Sequence, residues 1–214
     1  MIADSGPELR LWRTFSVDVF SFFLAWLANP LRVGALAPSS PALADAITAD
    51  ITPESAPVIE LGPGSGVFTH SLIARGIAAG RLALIEQDAM FAARLRRLFP
   101  DALVLEMDAA RLSEVELFAG ERAGTVVSGL PLLLMPPKKV IAILEGAFEH
   151  LRPGGDFYQF TYGLRSPVSR AILDRIGLVA TRVGATVANV PPAKVYRIGR
   201  RPSRPVSDGT HIHP

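Results

Sequence analysis

Val58-Ile59-Glu60-Leu61-Gly62-Pro63-Gly64-Ser65-Gly66 decides how the rest of the chain is read. A short apolar run carrying one acid breaks into three glycines spaced two apart. Val67 to Ile73 then has the look of an opening amphipathic helix. A buried strand that turns through glycines into a helix N-terminus is how α/β sheets hold nucleotide-like cofactors. Glycine serves there because, without a Cβ, it accepts positive φ and lets the backbone approach a ligand. The spacing narrows the ligand. A dinucleotide loop reads G-x-G-x-x-G, whereas here the third glycine arrives one residue early and Val67 stands in its place. No Lys-Ser/Thr pair follows, so a phosphate-gripping P-loop is excluded as well.

Outward from this loop, strand and helix signals alternate. Strands are expected at 58–61, 81–86, 102–106, 124–128 and 156–162. Helices are expected at 41–49, 67–78, 89–99 and 138–151, with shorter helical stretches near 113–118 and 166–176. Residues 178–190 and 193–198 read as a final antiparallel pair. Arg152-Pro153-Gly154-Gly155 reads as the turn before the fifth strand. Such alternation means a mostly parallel, Rossmann-like sheet with helices on both faces. Glu86 ends the second strand twenty residues past Gly66, the distance at which a carboxylate accepts both hydroxyls of a ribose. Asp108 follows the third strand, placed either to accept from an adenine amine or to cap the next segment. Glu60 is an acid inside an apolar strand, where an unpaired charge is costly. All three fall at the carboxyl ends of successive strands, the ligand edge of such sheets.

Composition sets outer bounds. At 214 residues the chain suits one domain, expected at 31–200. It has no cysteine, so disulfides and cysteine-based zinc sites are excluded, and its four histidines show no ligand spacing; no metal is expected. The formal charge of +2 gives no case for a nucleic-acid binder. Residues 1–30 are distinctive. Leu9, Trp12, Phe15, Val19, Phe22, Phe23, Trp26 and Leu27 recur at helical spacing, and both tryptophans lie here. The uninterrupted apolar run Phe22–Ala28 is far short of the ~20 residues that span a bilayer. Asp4 and Glu8 stand where a secretory signal needs basic residues. An amphipathic helix lying in a membrane interface fits this pattern, as does a helix folded onto the core or one that dimerises. Residues 201–214 have the composition of a flexible tail.

The whole set resembles the class I S-adenosylmethionine (SAM) methyltransferases over roughly Pro57 to Ile198. More closely, it is similar to the bacterial phospholipid N-methyltransferases related to ribosomal RNA adenine dimethylases. The residues that carry this are Val58–Thr69, Leu84-Ile85-Glu86-Gln87-Asp88, Ser128-Gly129-Leu130-Pro131-Leu132-Leu133 and Arg152–Gly155. The resemblance implies a class I fold with a seven-stranded sheet. It implies SAM as cofactor and S-adenosylhomocysteine as product. It also implies a peripheral enzyme on the cytoplasmic face of the membrane that converts phosphatidylethanolamine stepwise to phosphatidylcholine, docked on anionic lipids. The implied cofactor residues are Glu60, Gly62, Pro63, Gly64, Ser65, Gly66, Glu86, Gln87, Asp108, Ala109 and Ser128.

The RNA enzymes carry Asn-Leu-Pro-Tyr/Phe after the fourth strand, with the amide accepting from adenine and the ring stacking on the flipped base. Here Gly129-Leu130-Pro131-Leu132 supplies neither, so a flipped base has nothing to hold it. Leu132, Leu133, Leu134 and Met135 instead make an apolar rim suited to an acyl chain, or simply a packed loop, and Leu130, Pro131 and Leu132 are the substrate-binding positions expected there. Methylated amines become cations, which aromatic faces attract. Tyr158 and Tyr162 share a strand face; Tyr162 is the nearer to the carboxyl edge, while Tyr158 also reads as a core tyrosine. Arg165, Lys194 and Arg197 are the cations available to a lipid phosphate. Competing readings are an RNA adenine dimethylase, a small-molecule methyltransferase, and a non-catalytic membrane-binding protein that retains a SAM pocket.

Overall fold

The computed structural model describes residues 40–162, 166–188 and 192–202. The expected N-terminal helix, Arg165 and the tail beyond 202 lie outside the described residues.

Helix α1 (Pro41–Ile47) begins on Ser40, whose hydroxyl accepts from the Leu43 N–H, with Pro41 at the first helical position. Strand β1 (Val58–Leu61) leads through the glycine loop to α2 (Val67–Ala74). That helix is four residues shorter than its periodicity suggests, because Gly76 turns the chain at φ +93°. Then follow β2 (Leu82–Glu86), α3 (Ala89–Leu98), β3 (Leu103–Glu106) and β4 (Ala123–Ser128). Between β3 and β4 the expected helix at 113–118 is replaced by two 3-10 turns, Ala109–Glu114 and Phe118–Gly120. The remaining elements are α4 (Pro137–His150), β5 (Leu151–Thr161), α5 (Arg170–Arg175), β6 (Leu178–Thr186) and β7 (Ala193–Arg200).

The seven strands form one sheet in the order β3-β2-β1-β4-β5-β7-β6. All run parallel except β7, which lies antiparallel between β5 and β6. Arg152–Gly155 is not a free turn ahead of the fifth strand. Ala123 pairs Leu151 and Thr125 pairs Asp156, so these four residues bulge out within β5, with Gly154 at φ +77°.

Both faces of the sheet are covered. On one, Ile59, Leu61, Ile85, Val126 and Phe157 pack against Val140, Ile143, Leu144 and Ala147 of α4. On the other, Val58, Leu84, Val127 and Phe160 pack against Leu43 and Ile47 of α1, Phe68 and Leu72 of α2, and Leu95 of α3. Doubly covered strands read as continuous apolar runs, and β1, β2 and β4 are buried at every position. The acids at their ends therefore need a specific explanation.

Candidate active site

The glycine loop is shaped by its backbone. Gly66 caps α2 in the left-handed region at φ +86°, and a Cβ there would stand 2.8 Å from the Phe99 ring. At Gly64 a Cβ would meet nothing within 4 Å, so the loop presents bare backbone to an open space. Glu86 closes that space from β2. One carboxylate oxygen accepts from the Gly64 N–H at 3.0 Å and the other from the Asp88 N–H at 2.9 Å. An ionised carboxylate offers about four lone-pair sites, so two remain for hydroxyl donors. Gln87 is exposed beside it. Pro63 is buried and Ser65 half-buried within the loop.

Glu60 lies fully buried one strand away. Its Oε2 accepts from the Thr69 hydroxyl of α2 at 2.6 Å, while Oε1 has no partner among the described residues. Burial pushes the carboxyl up to about 8; the Thr69 hydroxyl opposes this and the charge of Glu86 adds to it. The group is therefore mainly neutral at pH 7, and its spare oxygen suits a cationic donor that would ionise it.

Asp108 caps the first 3-10 turn. Its Oδ1 accepts from the Ala110 N–H at 3.0 Å, and Oδ2 pairs with Lys139 at 2.6 Å. Burial opposes its ionisation, but Lys139, the Ala110 N–H and Arg111 outweigh that and hold it below the usual carboxylate range. The capping role is thus present, and an adenine amine at this carboxylate has to share it with Lys139. Ala109 is buried behind it. Lys139 and Thr69 were not singled out in the sequence. A lysine in the first turn of a helix is unfavourable against the helix dipole, and that misfit is the signal for Lys139.

After β4 the chain crosses the loop edge closely. The Gly129 N–H donates to Leu61 O at 2.8 Å, and a Cβ on Gly129 would lie 2.7 Å from Gly62 O. Ser128 is buried, and its hydroxyl accepts from the Leu130 N–H at 3.3 Å. Leu130 and Pro131 are half-buried and Leu132 is buried, with Leu133 exposed beside them. The four expected aromatic and basic positions among the described residues divide. Tyr162 lies at the carboxyl edge, edge-to-face with Phe160 at 5.2 Å, and Phe160 in turn meets Phe68 at 5.9 Å. Tyr158 is buried in the core opposite Arg197; burial and nearby Asp50 and Asp156 raise its phenol further, which removes it as a base near neutral pH. Lys194 pairs with Thr161 at the carboxyl edge, whereas Arg197 lies three residues deeper and approaches Asp156 at 3.8 Å. The structure therefore brings Glu60, Glu86, Asp108, the glycine loop and the Leu130 turn to one edge, and leaves Tyr158 and Arg197 below it.

No protein-family model matches the chain. An ornithine lipid N-methyltransferase of Singulisphaera acidiphila is 33% identical over 186 residues, covering 84% of this chain and 94% of that protein. The chain belongs to the bacterial lipid N-methyltransferase family of class I SAM-dependent methyltransferases. Similarity to a ribosomal RNA small subunit methyltransferase A from a Burkholderia species is partial: 38% identity over 99 residues, 45% of this chain and 36% of that one. Among solved structures, a glycopeptide N-methyltransferase bound to SAM shares the methyltransferase fold with a TM-score of 0.58 at 15% identity, over 76% of this chain and 94% of that one. A TehB-like SAM-dependent methyltransferase of Corynebacterium glutamicum gives 0.56 at 14%, over 87% and 100%.

The cofactor of this methyltransferase is SAM, and the residues fit it. Glu86 would accept from the ribose hydroxyls, the bare backbone at Gly64 would admit the close approach, and the spare oxygen of Glu60 faces no competing partner among the described residues. Bound SAM supplies an electrophilic methyl group on a sulfonium. The chain's own task is to hold the acceptor in line with it and keep water out.

Proposed function

We propose that this methyltransferase N-methylates the head-group amine of a membrane lipid, with phosphatidylethanolamine taken stepwise to phosphatidylcholine. The observation that carries the reading is the close approach at Gly129. A Cβ there would lie 2.7 Å from Gly62 O, so this backbone has no room for the asparagine with which the related RNA enzymes hold adenine. The rim offered instead is Leu130, Pro131, Leu132 and exposed Leu133, which suits an acyl chain. A neutral lipid amine attacks the methyl group, and the ammonium formed loses its proton to water before the next round. Lys194, at the carboxyl edge, is the cation proposed for the lipid phosphate. Tyr162, in its aromatic cluster, is the face for the methylated cation.

A second reading is favoured by the long match to an ornithine lipid N-methyltransferase: the acceptor is the amine of ornithine lipid, which presents a primary amine on a similar apolar body. Incubating the full chain with labelled SAM and vesicles containing each lipid, followed by mass analysis, separates them. Methylated ethanolamine lipids support the first reading. Label confined to ornithine lipid supports the second, and label in neither overturns both. Residues 1–28 are proposed to dock the enzyme on the cytoplasmic membrane face. Their deletion abolishes vesicle binding if so, and unchanged binding and activity refute that role.

A further inference from the structure

Gln159 is a polar side chain with no place in the cofactor site, yet it is 1% exposed on β5, directly opposite Ser128, the last residue of β4. Its Nε2 donates to Leu130 O at 2.9 Å and to Phe160 O at 3.1 Å. Two carbonyl acceptors fix which end of the amide is nitrogen. Its Oε1 is buried with no partner among the described residues. A methionine or leucine would fill the same space without an orphaned acceptor. What the glutamine adds is its donor end.

That donor end completes a clamp on one residue. The Leu130 N–H is held by the Ser128 hydroxyl and the Leu130 carbonyl by Gln159. The same carbonyl accepts from the Leu132 N–H at 3.0 Å, which starts the 3-10 turn Leu132–Leu134. The Leu130 side chain in turn lies over the glycine loop, so closely that a Cβ on Gly62 would be 2.7 Å from its Cδ2.

We propose that Gln159 is a positioning residue. It locks the Leu130–Leu134 turn against the cofactor loop and so sets the acceptor's distance and angle to the reacting methyl group. Small misplacements at such a loop cost turnover more than binding, because rate depends on in-line geometry. The proposal rests on the methyltransferase assignment and not on which lipid is methylated.

The test compares Gln159→Met and Gln159→Glu with the wild type in the full chain. Both conserve volume. Methionine removes the donors, and glutamate turns an acceptor toward two carbonyls. Hydrogen exchange is read at the Leu132, Leu134 and Met135 amides, SAM affinity by calorimetry, and turnover at saturating SAM with whichever lipid the wild type accepts. The expected result is exchange at those amides at least tenfold faster, with β1 and β4 unchanged. SAM affinity stays within about threefold, and turnover falls at least tenfold, more for glutamate than for methionine. Unchanged exchange at the turn overturns the proposal, as does faster exchange spread evenly over the sheet, or full turnover in Gln159→Met. A wild type that methylates neither lipid defeats the lipid reading alone, because exchange and SAM binding still test Gln159.

Discussion

Replacing Glu60 by glutamine tests the electrostatics of the site without its cofactor. The carboxyl is fully buried, and burial pushes it up to about 8 from the ordinary 4.5. The folded state thus holds the proton more tightly than the unfolded chain does. Stability is undiminished below pH 4.5, falls as pH rises, and stops falling above about 8. Each pH unit in that window costs about 1.4 kcal/mol. The wild type therefore loses about 3 kcal/mol from this group between pH 5.0 and 7.5. Glutamine mimics the neutral form and still presents a carbonyl oxygen to Thr69, so Glu60→Gln lacks this slope. Urea unfolding of both proteins at the two pH values, without SAM, isolates the effect, because every other titrating group is common to both. The expected outcome is a variant that gains about 3 kcal/mol on the wild type over that interval. Parallel pH dependences would refute the argument that Glu60 is held neutral. The same variant should bind SAM more weakly above pH 8, where the wild type offers a full charge and glutamine offers none.

Gly66→Ala forces a side chain into φ +86° and against Phe99; a loss of about 2 kcal/mol is expected, read as a melting-temperature drop of about 4–8 °C. Gly129→Asn should cost about 1–3 kcal/mol through its contact with Gly62 O, weaken SAM binding, and produce no methylation of an adenine-containing RNA. Lys139→Ala breaks a pair whose side chains are 32% and 31% exposed, so its stability cost should stay below about 1 kcal/mol. Because Asp108 titrates low in the fold, that cost is present at pH 7 and diminishes only as the pH falls below the ordinary aspartate value and through the lowered one, measurable by urea unfolding over a descending pH series.

Much of this was legible in the sequence where a residue type has one physical use. β1 and β2 end on Leu61 and Glu86 as the apolar runs suggest, and α3 starts on Asp88, whose carboxylate caps it. The elements that read differently are those where local rules compete. Arg152–Gly155 has turn composition, yet the ladder of β4 recaptures Leu151 and absorbs the four residues as a bulge. Pairs such as Asp108–Lys139 and Glu60–Thr69 join residues 31 and 9 positions apart. Periodicity carries no information about either contact. Tyr158 lies within β5 and Tyr162 one residue past its end at Thr161, so where the strand stops, which the sequence read as 162, helps decide which tyrosine is sealed in the core.

The strand order has a consequence for how such an enzyme diversifies. Glu60, Glu86 and Asp108 sit on β1, β2 and just after β3, in one half of the sheet, whereas the Leu130 turn, β5 and the reversed β7 occupy the other. Because β7 runs backward, it brings the start of a strand, Ala193 and Lys194, to the ligand edge. The two halves meet where Gly129 and Leu130 press on Gly62. If the acceptor binds in the β5–β7 half, as proposed, its specificity can change by substitution on that side of the seam, while Gly62 and Gly129, where a Cβ would lie 2.7 Å from a neighbour, stay glycine.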